Sequence, residues 1–501
     1  MSSNSAQIVH QLHREFYELI EYVIGEQSQS RTAYEVELNV FRRLLALGAK
    51  LLRLFFIHRA SFRPRGPVYA PDGTEMSYHD QRPTSYFSIF GKVRFRRHYF
   101  HAPGQEGFCP LDAELSLPPR CYSDLLRDWA EYCITNESYD ESIQLLERIL
   151  GISVSKLALE TGVQEDAADV EAFYGQKAAL PAEAEGAILV IQADGKGVPM
   201  VRAQSAPQAA RRGKGDKRTK KKEAVVTAIY TIEPYFRTPQ QVAEALLCDL
   251  AEHEERLSSA TVQPSRPAPV GKEVHATLAG KDTAFEGLTR RVAQREGAHI
   301  RHRVALTDGA EPLQCQVRDR LSRFTLVLDI IHAVEYVWHA ANALLGETNP
   351  HRTLWVKQQL LQILAGRTSG VIHTLESCAQ DPALSASQRE ALHSTIGYYR
   401  RNLPYMRYDV YLAQGWPIGT GVVEGACGHL VKDRMEQSAM RWTQTGAQAV
   451  LDLRAVRIND DWDAYQEFRR HCQHQRLYDH HPIAIPAAEF FAFDQMDQVP
   501  A

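Results

Sequence analysis

Four short apolar runs between residues 187 and 330 restrict the fold more than any other feature of the chain. They are Ile188-Leu189-Val190-Ile191, residues 224–232, residues 303–307 and residues 324–328. Each is too short for a helix, rich in Val, Ile and Leu, and bounded by turn residues, as strands buried on both faces are. Helical stretches lie between them, so residues 187–440 read as an α/β domain with helices packed on a central sheet. Residues 333–412 keep a helical period almost throughout, with an expected capping box at Ser387 and Glu390, and read as an all-helical insertion into that domain.

The chain has 501 residues, enough for two to four domains with their own cores. Fifty-seven Lys and Arg against 61 Asp and Glu give a net charge of −4, which excludes a uniformly basic polyanion binder and leaves local patches open. Eight cysteines are scattered without a CxxC pair, a poor fit to a disulfide framework or a thiolate zinc site. No apolar run approaches the roughly 18 residues that a membrane span needs, and the polar start is unlike a signal sequence. The expectation is a cytoplasmic protein with no membrane partner.

Ahead of the α/β domain, apolar residues recur at three and four from Ile8 to Val23 and from Leu44 to Phe55, as in a helical hairpin. The second helix and its exit carry Arg42, Arg43, Lys50, Arg53, Arg59, Arg63 and Arg65, a phosphate-binding face or an ordinary solvated one. The pattern then alternates through Tyr86, Ser88 and Phe90 into Gly91-Lys92 and Val93, Phe95. A β-hairpin is expected, with Lys92, Arg94 and Arg96 on one face, suited to a nucleic-acid backbone or to solvent. His101 and Cys109 follow without partners for zinc. Ser138 and Glu141 make a capping box, Gly151 ends that helix, and a new one starts near Ser153 to Ser155. This is the skeleton of a helix-turn-helix whose second helix presents Lys156, or of a helical hairpin with no DNA role. Past Trp462 the chain reads as a polar tail.

Asp194 follows the first apolar run and precedes Gly195 and Gly197, and Asp308 repeats the arrangement after the third. Carboxylates at strand ends are costly to bury singly but favourable around a hard cation, and Glu424, near the start of a helix after Gly419 and Gly421, offers a third oxygen ligand. Each acid could instead cap a helix or close a turn, and two could form a metal-free acid/base pair. The glycine patterns around 213–215 and 419–425 match neither a Walker nor a dinucleotide fingerprint. Between the first two runs lie Arg211, Arg212, Lys214, Lys217, Arg218, Lys220, Lys221 and Lys222, eight basic residues against one Asp, which favours a polyanionic substrate beside the acids.

Several motifs in order resemble the DDE transposases of the ISKra group of bacterial insertion sequences. They are Gly91-Lys92-Val93-Arg94-Phe95-Arg96-Arg97, the Gln192–Met200 segment around Asp194, the basic residues 217–222, the Leu306–Leu313 segment around Asp308, and Gly421-Val422-Val423-Glu424-Gly425. The resemblance covers residues 85–460. It implies a ribonuclease-H-like α/β catalytic core with an all-helical insertion, preceded by an α+β DNA-binding region containing a helix-turn-helix-like module. The expected segments are 1–65 (helical hairpin), 66–120 (basic β-hairpin), 121–180 (helix-turn-helix-like module and linker), 181–332 (first part of the core), 333–415 (insertion), 416–460 (the Glu helix and its successor) and 461–501 (tail).

The resemblance further implies that Asp194, Asp308 and Glu424 are catalytic metal ligands for two Mg²⁺ ions, with Mn²⁺ as a substitute, and that Asp329 and His332 form an accessory D-x-x-H element. Lys432, Arg434, Arg441 and Trp442 resemble the basic and aromatic residues that follow the catalytic Glu in such enzymes. The implied activity is cleavage and strand transfer at insertion-sequence ends. Its partners would be terminal inverted repeats, target DNA and a second copy or more of the chain, and its place the nucleoid. A noncatalytic DNA-binding derivative and a metal-dependent nuclease without joining activity are the alternatives. The chain departs from related sequences at His101–Gly107, where it lacks their cysteine pair.

Overall fold

The computed structural model describes residues 3–62, 64, 66–120, 122–201, 221–247, 265–437 and 440–480. They form a mixed α/β protein with a helical majority and two sheets. Two compact units divide the chain, one of residues 1–169 with 462–501 and one of residues 170–461. No helix among the described residues is long and apolar enough to cross a membrane.

In the first unit, α1 (Ser3–Ile24) and α2 (Ala33–Ala60) pair through Ile8, Leu12, Leu19 and Leu47. A Thr32/Glu35 capping box starts α2. Its far side packs Phe56 and Ala60 on the sheet of β1 (Val68–Tyr69), β2 (Glu75–Ser88) and β3 (Gly91–His101). The β2–β3 hairpin closes at Ser88 opposite Gly91, whose φ of 100° suits glycine. Val93 and Phe95 point inward, while Lys92, Arg94 and Arg96 are exposed.

Three helices follow, α3 (Asp124–Ile134), α4 (Tyr139–Leu150) and α5 (Lys156–Asp166). The Ser138/Glu141 capping box opens α4 and Gly151, at φ 68°, ends it. Residues 462–478 are helical, where the sequence reads as the start of a polar tail. Trp462, Tyr465 and Arg469 of this helix are buried, and Arg469 donates to Asp166 at 3.0 Å and to Asp124 at 3.1 Å. Its polar residues thus face a buried charged cluster, a partner that their sequence neighbourhood does not reveal.

The second unit is built on a five-stranded sheet of β4 (Ile188–Pro199), β5 (Lys221–Ile232), β6 (Val270–Thr277), β7 (His302–Thr307) and β8 (Thr325–Leu328), ordered β6-β5-β4-β7-β8. Its first three strands in that order are antiparallel, and β4, β7 and β8 are parallel. Strand alternation sends Leu189, Ile191 and Ala193 into one core with α6 (Lys281–Arg295) and α7 (Glu311–Arg320). Ile188 and Val190 enter the opposite core, which is covered by α8 (Ile330–Leu345), α9 (Arg352–Leu364), α10 (Thr368–Ala379) and α11 (Ala386–Asn402).

Three details differ from the sequence reading. The capping box of α11 is Ser385 with Gln388, two residues earlier than Ser387 and Glu390. Strand β6 was not expected, because its polar residues Lys272, Glu273 and His275 break the apolar run. Finally, β4 does not end before Asp194. It continues to Pro199 against β5 and extends past the last residue paired with β7.

Candidate active site

Register and alternation bring the first two acids together. Ala193 pairs with Thr307 as the last step of the parallel β4–β7 ladder, so Asp194 and Asp308 emerge side by side where that ladder stops. Both share strand parity with residues of the helix-covered core, Asp194 with Ile188 and Val190, and Asp308 with Val304 and Leu306. The backbone turns sharply after Asp308. Gly309 has φ 89°, and a Cβ there would lie 2.7 Å from the Tyr398 hydroxyl. That hydroxyl donates to the Asp308 carbonyl at 2.8 Å.

Glu424 comes from α12 (Gly421–Ala426), which is docked on β4 by a buried glutamine. Gln192 accepts from the Val423 N–H at 2.8 Å through Oε1, and its Nε2 donates to the Gly419 carbonyl at 3.3 Å and the Tyr230 hydroxyl at 3.0 Å. The amide fixes α12 one strand-face step from Asp194. The Thr420 hydroxyl donates to Glu424 Oε1 at 2.5 Å.

Asp329 caps α8. It is fully buried, and its carboxylate accepts three N–H donors, His332 N at 2.9 Å, His332 Nδ1 at 2.7 Å and Thr420 N at 2.8 Å. It therefore ties α8 to the segment leading into α12. The Asp329 hydrogen bond raises the His332 pKa to about 9; burial opposes the shift, and Glu335 and Asp308 add to it. His332 Nδ1 also lies 3.9 Å from Glu424 Oε1.

Among the described residues, Asp329, His332 and Glu424 form a group whose ligand atoms lie within 4.8 Å of one another. Asp194 and Asp308 stand outside that tight group. The donor sets differ in kind, however. Asp329 is saturated by N–H groups, as a brace would be, whereas Asp308 Oδ2 and Glu424 Oε2 take no hydrogen bond from the described residues. Among the described residues, Asp194 Oδ1 accepts from its neighbour's Gly195 N–H at 2.6 Å, and Oδ2 from the Cys427 thiol at 3.3 Å. Three carboxylates, each with an oxygen that takes no N–H donor and none paired with an ammonium or guanidinium among the described residues, suit a hard divalent cation.

Cys427, Gln192, Thr420 and Tyr398 support the acids and were not singled out from the sequence. Cys427 opens a π-helical turn, Cys427–Lys432, that follows α12. Burial, then the Asp194 carboxylate, push its pKa well up, so it stays a thiol donor. The only sequence signal for these four was their proximity to the acids along the chain, and Tyr398 lacks even that.

The expected DNA contacts fall into three groups. Lys432 and Arg441 are exposed, as are Lys92, Arg94, Arg96 and Lys156. Lys156 pairs with Asp140 at 2.8 Å, Lys221 with Glu436 at 2.5 Å, and Lys222 donates to Gln444 at 2.6 Å. Arg434 and Trp442 are interior. The guanidinium of Arg434 lies 4.8 Å over the Trp442 ring, and the indole N–H donates to the Met435 carbonyl at 3.1 Å. The Trp442 backbone also pairs with Pro199 and Val201, pinning the end of β4. Arg63, Arg65, Arg211, Arg212, Lys214, Lys217, Arg218 and Lys220 lie outside the described residues.

No family model and no curated protein matches the chain. Among solved structures, it is similar to a chain of the Drosophila P element transposase strand transfer complex, at 9% identity and a TM-score of 0.25, over 70% of this chain and 80% of that one. A TM-score of that size fixes neither strand order nor site.

Proposed function

We propose that the chain is a DDE transposase of ribonuclease-H-like architecture that cuts and joins DNA at the ends of an insertion sequence. The observation that carries this reading is the convergence of Asp194, Asp308 and Glu424 from two adjacent parallel strands and a docked helix, each with a carboxylate oxygen free of N–H donors. The β6-β5-β4-β7-β8 order with β4 central supports the architecture. The three helices α3 to α5 support the helix-turn-helix-like reading.

Asp194, Asp308 and Glu424 would hold Mg²⁺ or Mn²⁺. A bound pair of such ions supplies an activated water and stabilises charge on the transferring phosphate. The chain's own contribution is placement. Gln192 and Asp329 fix α12 and α8 against the strand ends, so the acids need not reorganise during reaction. The His332 imidazolium adds positive charge beside a cluster that must accept a phosphodiester. In the hydrolytic step a water oxygen bonds to phosphorus and the P–O3′ bond breaks. The freed 3′-OH would then attack a target phosphate in the same site, forming a new P–O3′ bond as the target's own P–O3′ bond breaks and its 3′ oxygen leaves with the proton that the attacking hydroxyl gives up. Lys221, Lys222, Lys432 and Arg441 would hold flanking phosphates, and the basic run 211–220, which precedes Lys221 in the sequence, would add charge to them. The partners of this reading are the element's ends, target DNA and a second copy of the chain, in the nucleoid.

The test is cleavage and joining of DNA carrying the element's ends, with Mg²⁺ or Mn²⁺, by wild type and by Asp194→Asn, Asp308→Asn and Glu424→Gln. Wild type should yield strand-transfer products, and each variant should bind DNA normally while losing at least about a hundredfold in both steps. Cleavage without joined product would make the chain a nuclease. Equal binding with no reaction by any of the four would make it a DNA-binding protein.

A further inference from the structure

Away from the acids, one arginine of the second unit is left without an anion. Beyond β5 the chain turns through residues 233–238 into the helix Pro239–Leu247. This turn, the end of α9 and the short helix Tyr408–Ala413 line a cavity of about 490 Å³. That volume falls within the roughly 300–1,000 Å³ of small-molecule sites. Leu364 and Leu412, both buried, give the cavity an apolar wall, and Phe236, 67% exposed, adds an aromatic one. Arg237 is the one cation among its lining residues.

The Arg237 side chain is held in place but not satisfied. Its Nη2 donates to the Trp416 carbonyl at 3.1 Å, and the guanidinium lies 5.3 Å over the Tyr235 ring. The Tyr235 N–H donates to the Gly415 carbonyl at 2.8 Å, so the turn is fixed at two points before any ligand arrives. Arg237 Nε is buried and finds no acceptor among the described residues. A buried donor without an acceptor is costly, and an acceptor in the cavity would remove that cost.

No carboxylate neutralises this charge. Among the described residues neither Arg237 nor Arg266 is ion-paired, yet Arg266 stands near enough to add to burial in lowering the Arg237 pKa. Asp409, on the cavity wall, is not the missing partner. Its carboxylate lies over Gly366, where a Cβ would come within 2.6 Å of it, and it has no part in the Arg237 shift. Nor does the helix start offer its donors. The Thr238 N–H is given to Gln241 Oε1 at 2.9 Å, and the Gln241 N–H to the Thr238 hydroxyl at 3.2 Å. Recognition here falls to the arginines, and two neighbouring guanidiniums without a counter-ion favour a doubly charged anion.

We propose that the cavity binds a small phosphate monoester, its phosphate on the Arg237 Nε–H in the field of Arg266 and its apolar body against Leu364, Leu412 and Phe236. Two guanidiniums match a charge near −2 better than the single charge of a carboxylate, and phosphate oxygens suit the planar donors of arginine. The Asp409 carboxylate, which takes no hydrogen bond from the described residues, would accept an O–H or N–H from the far end of the body. Ile232, where β5 ends, pairs with Ile188, six residues before Asp194 on β4. The cavity therefore lies at the opposite end of the sheet from the acids, on the order of 20 Å away. The inference does not rest on the reading of the acidic site.

The experiment is calorimetric titration of the full chain with inorganic phosphate and with phenyl phosphate, at physiological salt and with a chelator that keeps metal from the acids. Inorganic phosphate should bind at one site per chain, and phenyl phosphate on the order of tenfold tighter. Arg237→Gln should weaken both by at least about tenfold. Because Arg237 also braces the turn, Arg266→Gln, an exposed change that breaks no contact, is the second variant. It should weaken both titrants about three- to fivefold with an unchanged thermal midpoint. Phe236→Ala should weaken phenyl phosphate alone. Absence of binding overturns the proposal, as does binding indifferent to Arg237→Gln and Arg266→Gln. Equal affinity of wild type for the two titrants removes the apolar body from the site and overturns it as well.

Discussion

Asp329 shows how much one residue can be asked to do. Its carboxylate serves two backbone N–H groups and one imidazole, and no water is needed to satisfy it. Asp329→Ala would strand the N–H groups of His332 and Thr420 in the interior, a destabilisation on the order of 3 kcal/mol, measurable by urea unfolding. In the same variant His332 should titrate near its ordinary 6.5 in place of about 9, as read by NMR of the ring protons. An unmoved titration would mean that another group sets the histidine's charge. Cys427 offers a second test. Cys427→Ser keeps a donor for Asp194 and should retain activity within a few-fold. Cys427→Val removes the donor at similar volume and should weaken metal affinity, seen as a raised Mn²⁺ requirement. Equal behaviour of the two variants would reduce the thiol to packing. Asp194, Asp308 and Glu424 stand out in the sequence as candidates because a carboxylate beside an apolar run or a glycine-rich turn is conspicuous. Gln192 and Cys427 were not, since a buried amide or thiol gains its meaning only from a partner more than two hundred residues away.

At the level of elements, local rules read well and long-range pairing read poorly. The Ser138/Glu141 box starts α4 as expected, because its chemistry lies within four residues. Ser138→Ala should cost about 1 kcal/mol, measured by chemical unfolding. The continuation of β4 through Gly195 and Gly197 was hidden, because glycines there looked like a turn and only β5 supplies the ladder that keeps the chain extended. Strand β6 was hidden by polar residues that its partners neutralise. His275, on β6, stands edge-on to Tyr174 at 4.4 Å, and its side chain is 14% exposed. Burial, then the nearby Arg291, lower its pKa to about 4, while Glu273 opposes the shift. The folded value lies below the unfolded one near 6.5. Below that pH the unfolded chain takes up a proton that the folded chain refuses until about pH 4. Stability from this residue is complete above pH 6.5 and is lost as the pH falls toward 4, up to about 3 kcal/mol. His275→Gln should flatten that part of the stability profile, and an unchanged profile would assign the acid sensitivity elsewhere.

Across the whole molecule, the order of apolar runs announced a mixed α/β protein, and the helices α8 to α11 cover one sheet face. The sequence did not announce that the helix at 462–478 rejoins the first unit, because its buried arginine finds its carboxylates at Asp124 and Asp166, far back in the chain. Nor could spacing distinguish surface from interior in the basic segment after Glu424, where Arg434 and Trp442 face inward and Lys432 and Arg441 outward. In the proposed function Asp194, Asp308 and Glu424 act as one metal centre, with Asp329 and His332 bracing it. Calorimetric titration of the full chain with Mn²⁺ tests this most directly. Asp194→Asn, Asp308→Asn and Glu424→Gln should each lose most of the binding seen in wild type, while Asp329→Asn keeps it within a few-fold. If the first two variants bind as wild type does and Asp329→Asn or His332→Ala abolishes binding, the metal belongs to the tighter Asp329–His332–Glu424 group and the three-carboxylate centre does not exist.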